Sequence, residues 1–358
     1  MNSSTFKNPI TICYFGIYRP TAPRDKVYLA GLKKLGVEVV ECVDNSEGFL
    51  KFFRLAKKLY ALKNRYDILW VGYLSTMVAP FARLISGKKI IFNALDSWYD
   101  RSVRDREMYS QFSPVTWAIW FCDFLAFHLS HVVLVESESQ KKFLVREFYV
   151  RPDKLMIVFT GADGNIFFPD PTIKKLGRFT AVFRGMFLPA TGVEYVIEAA
   201  RILRDEPVDF IIIGWGQGLS KVKSLLVDYK LPNVTLITEF LESRVLRELM
   251  LSAHVMLGQF GDHPRLERTI QNKTFEALAL GMPYITRDSS SNRELLTDGE
   301  DCLFVPQADA SALAEKIMFL KNNDTVIKSL ADNASITYAK KFREDVLAVP
   351  VFKLLETL

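Results

Sequence analysis

The sequence has little of what builds a disulfide scaffold or a metal centre: four cysteines and four histidines in 358 residues. Cys13, Cys42, Cys122 and Cys302 form no CxxC pair and have no histidine beside them. That argues against a disulfide framework or a structural zinc site, and for a reducing compartment. The opening MNSSTFKNP is polar and lacks the apolar stretch of a signal peptide. The longest apolar run, residues 115–137, is broken by Asp123, His128, Ser130 and His131 and ends rich in valine. It predicts a buried helix feeding a buried strand rather than a membrane span. No GxGxxG follows a strand-like run, so the usual dinucleotide fingerprint is absent.

What is present fits a globular chain of two domains, 49% hydrophobic and 24% charged. The net charge of +5 is unevenly placed. Residues 1–165 carry 23 Lys and Arg against 16 Asp and Glu, and the remainder carries 23 against 25. The basic half either faces something anionic, such as a membrane surface or a phosphate-bearing substrate, or is simply a solvated face.

Short apolar runs alternate with amphipathic stretches in both halves. Strands are expected at 10–15, 37–43, 67–72, 89–94, 131–137 and 155–161, then at 179–185, 209–214, 234–238, 254–260, 283–287 and 302–306. Runs apolar on both faces predict parallel sheets covered by helices. The polar, Pro-punctuated stretch 161–177 predicts a linker. The expected fold is therefore α/β: two Rossmann-like doubly wound domains, 1–165 and 166–340, facing a cleft, with 341–358 as a helix returning towards the first. Leu29, Leu32 and Leu35 share a helical face stopped by Gly36, and Asp309 reads as the cap of ASALAEKIMFLK.

Two segments carry candidate chemistry in the second half. In GWGQG (214–218), Gly214 and Gly216 either let amides approach a ligand or form a tight strand-to-helix turn. In ERTIQNKTFEALALGMPYIT (267–286), a helix should end at Gly281, with Asn272, Lys273 and Glu276 on one side. Its N-terminus, preceded by Arg265 and Arg268, offers amides, a dipole end and cations to a diphosphate. The alternative is an ordinary surface helix with an internal Lys–Glu pair.

The stretches 183–203, 209–226, 233–258, 271–306 and 309–317, taken in order, resemble retaining GT-B glycosyltransferases of family 4. They resemble in particular a branch with RxIxNK before the donor-binding helix. Residues 134–169 resemble that family's run into its interdomain linker. The resemblance implies that Glu276 holds the nucleotide ribose and that amides around Ile270, Gln271, Asn272 and Lys273 meet the diphosphate. It also implies that Thr238, Glu239 and Phe240 lie along the base. Glu294 matches an acidic position that is either structural or ligand-binding.

The chain departs from the family at three places. The first glutamate of the Glu, seven residues, Glu signature falls at Arg268, with Glu267 and Asp262 out of register. The Arg and Lys of the GRxxxxKG segment fall at Met186 and Thr191. Either Arg265, Arg268 and Lys273 supply the missing charge on the departing diphosphate, or the chain is a silent subunit that binds a sugar nucleotide or supports a partner transferase. An epimerase or phosphorylase on the same architecture is a third class.

On the first half, Arg19 and Arg24 follow the first strand, and Asp96 stands roughly where many relatives place a histidine. Asp100 and Arg106 lie beyond it. A carboxylate there orients an acceptor hydroxyl or the sugar and the arginines bind phosphate, or the segment is an exposed ion-pair loop. Residues 50–66 form a basic amphipathic pattern that suits either an anionic membrane surface or an ordinary surface helix.

The expected protein is thus a cytoplasmic glycosyltransferase, peripheral on the inner face of a membrane if residues 50–66 bind lipid. Its partners would be a nucleotide-sugar donor and a saccharide or lipid-linked acceptor, with no nucleic acid. Asp96, Arg268 and Lys273 are its candidate catalytic residues. No metal cofactor is expected, which rests on the resemblance and agrees with the lack of a DxD-type donor loop.

Overall fold

A computed structural model describes residues 9–17 and 23–358. Arg19 lies outside them. The chain forms two compact units, one running to Gly161 and including Glu344–Leu358, the other spanning Ala162–Arg343.

The first unit is built on strands β1 (Thr11–Gly16), β2 (Glu38–Val43), β3 (Ile68–Val71), β4 (Lys89–Leu95), β5 (Val132–Val135) and β6 (Leu155–Ile157). They form one parallel sheet in the order β2-β1-β3-β4-β5-β6. Its helices are α1 (Pro23–Lys34), α2 (Leu50–Ala61), α3 (Val78–Ile85), α4 (Pro114–Leu129) and α5 (Glu138–Phe148). Leu55 and Leu59 of α2, Ala79 and Ala82 of α3, Phe127 of α4 and Phe148 of α5 share one core with Leu69, Phe92 and Val133 of the sheet.

The second unit carries β7 (Phe179–Arg184), α6 (Val193–Ile202), β8 (Val208–Ile213), α7 (Leu219–Tyr229), β9 (Val234–Ile237), α8 (Ser243–Ser252) and β10 (Val255–Leu257). It continues with α9 (Asn272–Leu280), β11 (Tyr284–Arg287), α10 (Ser290–Arg293), β12 (Leu303–Val305), α11 (Ala310–Lys321) and α12 (Asp324–Thr337). Its sheet is again six-stranded and parallel, in the order β12-β11-β10-β7-β8-β9. Among the described residues all twelve strands fall inside or within a residue of the expected runs. Asp309 caps α11 by accepting from Ala312 N at 2.8 Å.

The last helix, α13 (Glu344–Thr357), packs on α1 within the first unit. The two helices approach closely because Gly31 has no side chain: a Cβ there would sit 2.1 Å from Glu344 O. Lys34 ion-pairs with Glu344 across the same contact.

One expectation fails. Helix α4 is not buried all round. Its inner face is buried through Ile119, Asp123, Ala126 and Phe127, whereas Trp117 and Phe121 are more than half exposed. A helix apolar all round packs into a core only where elements cover both sides, and α4 lies in an outer layer.

A histidine makes the same device at the start of one strand pair in each unit. His131 N donates to Ile90 O at 2.9 Å while its Nδ1 accepts from Ile90 N at 2.9 Å. His254 does the same with Thr180, at 2.8 Å and 3.0 Å. Each neutral ring closes the end of a parallel ladder that would otherwise leave a backbone amide without a partner.

Candidate functional site

In the second unit three charged side chains meet where β7 ends and α9 begins. Arg184, the last residue of β7, ion-pairs with Glu276 and donates to both of its carboxylate oxygens. Lys273 is buried, with Nζ 3.3 Å from Gly258 O and 3.7 Å from the centroid of the Phe183 ring. Burial, reinforced by the nearby Arg184 cation, pushes its ammonium down to about 7, with Glu276 opposing.

The surface-helix alternative therefore falls. From Lys273 onwards every residue of α9 is buried, and Glu276 pairs with Arg184. Gln271 occupies the N-cap position without a side-chain bond, Asn272 is exposed, and Gly281 ends the helix at φ +63°.

The glycines of GWGQG answer to the neighbouring backbone. A Cβ on Gly214 would lie 2.0 Å from Gly185 O, and one on Gly216, at φ +134°, would lie 3.0 Å from Phe187 O. Phe187 N donates to Trp215 O and Gly218 N to Phe187 O, each at 2.8 Å. The loop after β7 is thus laced to the loop after β8. Thr191 turns its hydroxyl to Leu188 O at 2.7 Å and closes a tight turn, while Met186 is partly exposed. No cation stands at either position.

Arg265 lies within a 3-10 turn, Pro264–Glu267, and Arg268 follows it; both are half-buried. Arg268 Nη1 donates to Pro264 O at 3.2 Å. Glu267 pairs with Arg287 and accepts from Ser290 N at 3.0 Å. Buried Arg287 also donates to Gly261 O at 2.6 Å and to Gln307 Oε1 at 2.9 Å, so it ties three loops together. Phe240 is almost fully exposed, and Glu294 is exposed at the end of α10.

In the first unit the ends of β3 and β4 are strained. Leu74 and Leu95 hold φ of +67° and +62°, costly for branched side chains and kept only where neighbours over-determine them. Asp96 follows, buried and paired with Arg101 at 2.7 Å; Arg101 also donates to Tyr73 Oη at 3.3 Å. Asp123 of α4 fixes this segment by accepting from Ser97 Oγ at 2.7 Å and Tyr99 N at 2.8 Å. Burial pushes its carboxyl up to about 7 against those bonds.

The segment is not an exposed ion-pair loop. Asp100 is buried in a π-helical turn, Asp100–Asp105, that ends at half-buried Arg106. Arg24, an acceptor-side candidate, is engaged by the protein itself. It is buried, with Nε on Asn93 Oδ1 at 2.7 Å and Nη1 on Val158 O at 2.9 Å, and braces the sheet. Its neighbour Asp25 accepts from Tyr14 Oη, Tyr73 N and Asn93 Nδ2 at 2.6–2.7 Å.

Sequence reasoning missed Arg184 and Arg287. Each is the last residue of a strand, and that position at a C-terminal strand edge was the available signal. Among the described residues no cluster of three His, Cys, Asp or Glu side chains could hold a metal ion, and no helix is long and apolar enough to cross a membrane.

Comparison with known proteins agrees with this layout. Over 98% of its length the chain superposes on Anabaena HepE, a structure in complex with UDP and glucose, covering all of that chain with a TM-score of 0.76 at 16% identity. It superposes similarly on sucrose-phosphate synthase from Thermosynechococcus elongatus, covering 98% of this chain and 99% of that one, with a TM-score of 0.77 at 15% identity. A putative colanic acid biosynthesis glycosyltransferase, WcaL of Salmonella typhimurium, is 27% identical over 47% of this chain and 42% of the relative. The chain spans about half the length of the curated relatives it matches. The two parallel six-stranded sheets share the GT-B fold of those solved structures, and residues 178–323 match the family described as "Glycosyl transferases group 1".

Proposed function

We propose that the protein transfers a sugar, with retention of anomeric configuration, from a nucleoside-diphosphate sugar to a saccharide or lipid-linked acceptor. The observation that carries this reading is the grouping of Arg184, Lys273 and Glu276 at the N-terminus of α9. When the bond from the anomeric carbon to the diphosphate breaks, negative charge grows on the leaving oxygen. Lys273, Arg184 and the first amides of α9 stabilise it, a preorganised arrangement of cations and a dipole end. Glu276 accepts hydrogen bonds from the ribose hydroxyls while Arg184 keeps its charge balanced.

In this account the charge missing at Met186 and Thr191 is supplied by Arg184 and Lys273. Arg265 and Arg268 flank the diphosphate site, Gln271 and Asn272 contribute backbone amides, and Phe240 lies against the base. On the first unit Asp96, oriented by Arg101, holds the acceptor hydroxyl. The basic stripe of residues 50–66 supports an acceptor presented at an anionic membrane. UDP, glucose and UDP-glucose in the HepE structures make uridine nucleotides the first to try.

The test is thermal stabilisation by UDP-, GDP-, ADP- and dTDP-sugars, followed by product detection with saccharide and lipid acceptors. One nucleotide-sugar should raise the melting temperature and be turned over. Stabilisation without turnover on any acceptor would replace the reading with a silent sugar-nucleotide-binding subunit.

A further inference from the structure

We propose that the outer face of α2, α3 and α4 is a docking surface for an anionic lipid bilayer, with the aromatic side chains around α4 entering the headgroup layer. The proposal rests on the transferase reading only in taking the acceptor to be lipid-linked. Its evidence is the surface of the first unit.

Phe49 and Phe53 at α2, Leu84 at α3, and Phe112, Trp117 and Phe121 at and before α4 are each more than half exposed. Scattered exposed hydrophobics need no explanation, but these lie on three helices of one layer. Phe52 of α2 packs edge-on against Phe81 of α3 at 5.2 Å, α3 packs on α4, and all three cover the same core. The outward positions of α4 fall at Pro114, Val115, Trp117, Ala118 and Phe121, with no charged side chain among them.

Charge decides the occupant. Residues 49–66 hold six Lys and Arg, of which Arg54 and Lys58 pair with Asp44, and residues 77–89 hold three; across both segments and 108–131 the single acidic residue is Asp123, which is fully buried. A second copy of the chain seated on this face would set the cations that Asp44 does not pair, Lys51, Lys57, Lys63 and Arg65 among them, against their own kind. An anionic bilayer meets both the cations and the apolar rings, and exposed Trp and Phe at helix ends suit its interface.

The inner side of α4 gives the docking a consequence. Its Asp123 holds Ser97 and Tyr99, and so fixes the turn that carries Asp96. The helix resting on lipid is therefore the one that positions the candidate acceptor carboxylate.

The experiment uses the full chain and vesicles of phosphatidylcholine, with or without phosphatidylglycerol. Co-sedimentation with the phosphatidylglycerol vesicles is expected, weakening with added salt. It should fall at least about tenfold in Lys57→Glu/Lys63→Glu and in Trp117→Ser/Phe121→Ser. Brominated acyl chains should quench tryptophan emission, and Trp117→Phe should remove most of that quenching. Circular dichroism and the nucleotide-sugar thermal shift serve as folding controls for each variant.

Absence of sedimentation, or variants that sediment like the wild type, overturns the proposal. So does a dimer abolished by Trp117→Ser/Phe121→Ser in a protein that ignores vesicles, which would make the face a self-association surface. Vesicle binding without any nucleotide-sugar binding leaves this inference standing and removes the transferase reading, and the reverse result separates them the other way.

Discussion

The ammonium of Lys273 rests against the backbone of Gly185 so closely that a Cβ on the glycine would stand 2.9 Å from Nζ. The atom that would have to yield is the end of a flexible chain, but Gly185 holds φ +158°, a conformation that side-chain-bearing residues rarely adopt, so Gly185→Ala should cost about 1–3 kcal/mol. Its effect should fall on where Lys273 points. Donor turnover by the folded variant is expected to drop roughly tenfold to a hundredfold. A large loss of stability with normal turnover would show that the lysine is only a packing element.

The lowered ammonium of Lys273, about 7 in the ligand-free protein, makes donor binding proton-linked. A diphosphate beside it favours the charged form, so the protein should take up a proton on binding at pH 8, and nucleotide affinity should weaken as pH rises above 7. Titration calorimetry in two buffers of different ionisation enthalpy reads this directly. Proton uptake near one at pH 8, abolished by Lys273→Met, is expected; uptake unaltered by the variant would assign it elsewhere.

Glu267 stands one residue from the family's first signature glutamate, and the structure gives it a bracing partnership with Arg287. Glu267→Ala leaves a buried guanidinium without its carboxylate and should cost about 2 kcal/mol, seen as a lower denaturation midpoint. The Michaelis constant for the donor should change less than about threefold. Loss of turnover with full stability would restore Glu267 to the reacting site.

His131 and His254 each accept a backbone N–H at Nδ1, and burial lowers both below the ordinary histidine range. The unfolded chain therefore binds these protons more readily than the folded one. The stability they contribute is present above about pH 6.5 and is lost as pH falls below it. Asn at both positions keeps an acceptor that does not titrate. The double variant His131→Asn/His254→Asn should lose less stability than the wild type between pH 7 and pH 5 in urea titrations; parallel losses would contradict the assignment.

The inner strands among the described residues could be read from the sequence because parallel strands buried on both faces are continuous apolar runs, as in DFIIIG, and the edge strands β2 and β9 by their β-branched composition. The end of α9 was equally legible from Gly281 and Pro283. Burial of polar groups was not. Lys273 and Glu276, three residues apart, carry the spacing of an exposed ion pair, and only the fold brings Arg184, 92 residues away, to the glutamate. Helix α4 was misjudged for the opposite reason. Periodicity tells which residues are apolar, but whether the outer face of Trp117 and Phe121 is covered depends on what packs there.

The central claim is that Lys273 and Glu276 hold a nucleoside-diphosphate sugar for transfer. Its most direct measurement is release of nucleoside diphosphate from a panel of nucleotide-sugars in the presence of saccharide and lipid acceptors, for the wild type, Glu276→Gln and Lys273→Met. One donor should be consumed by the wild type and turned over at least about a hundredfold more slowly by each folded variant. No consumption of any donor, or equal rates in all three proteins, would contradict the account.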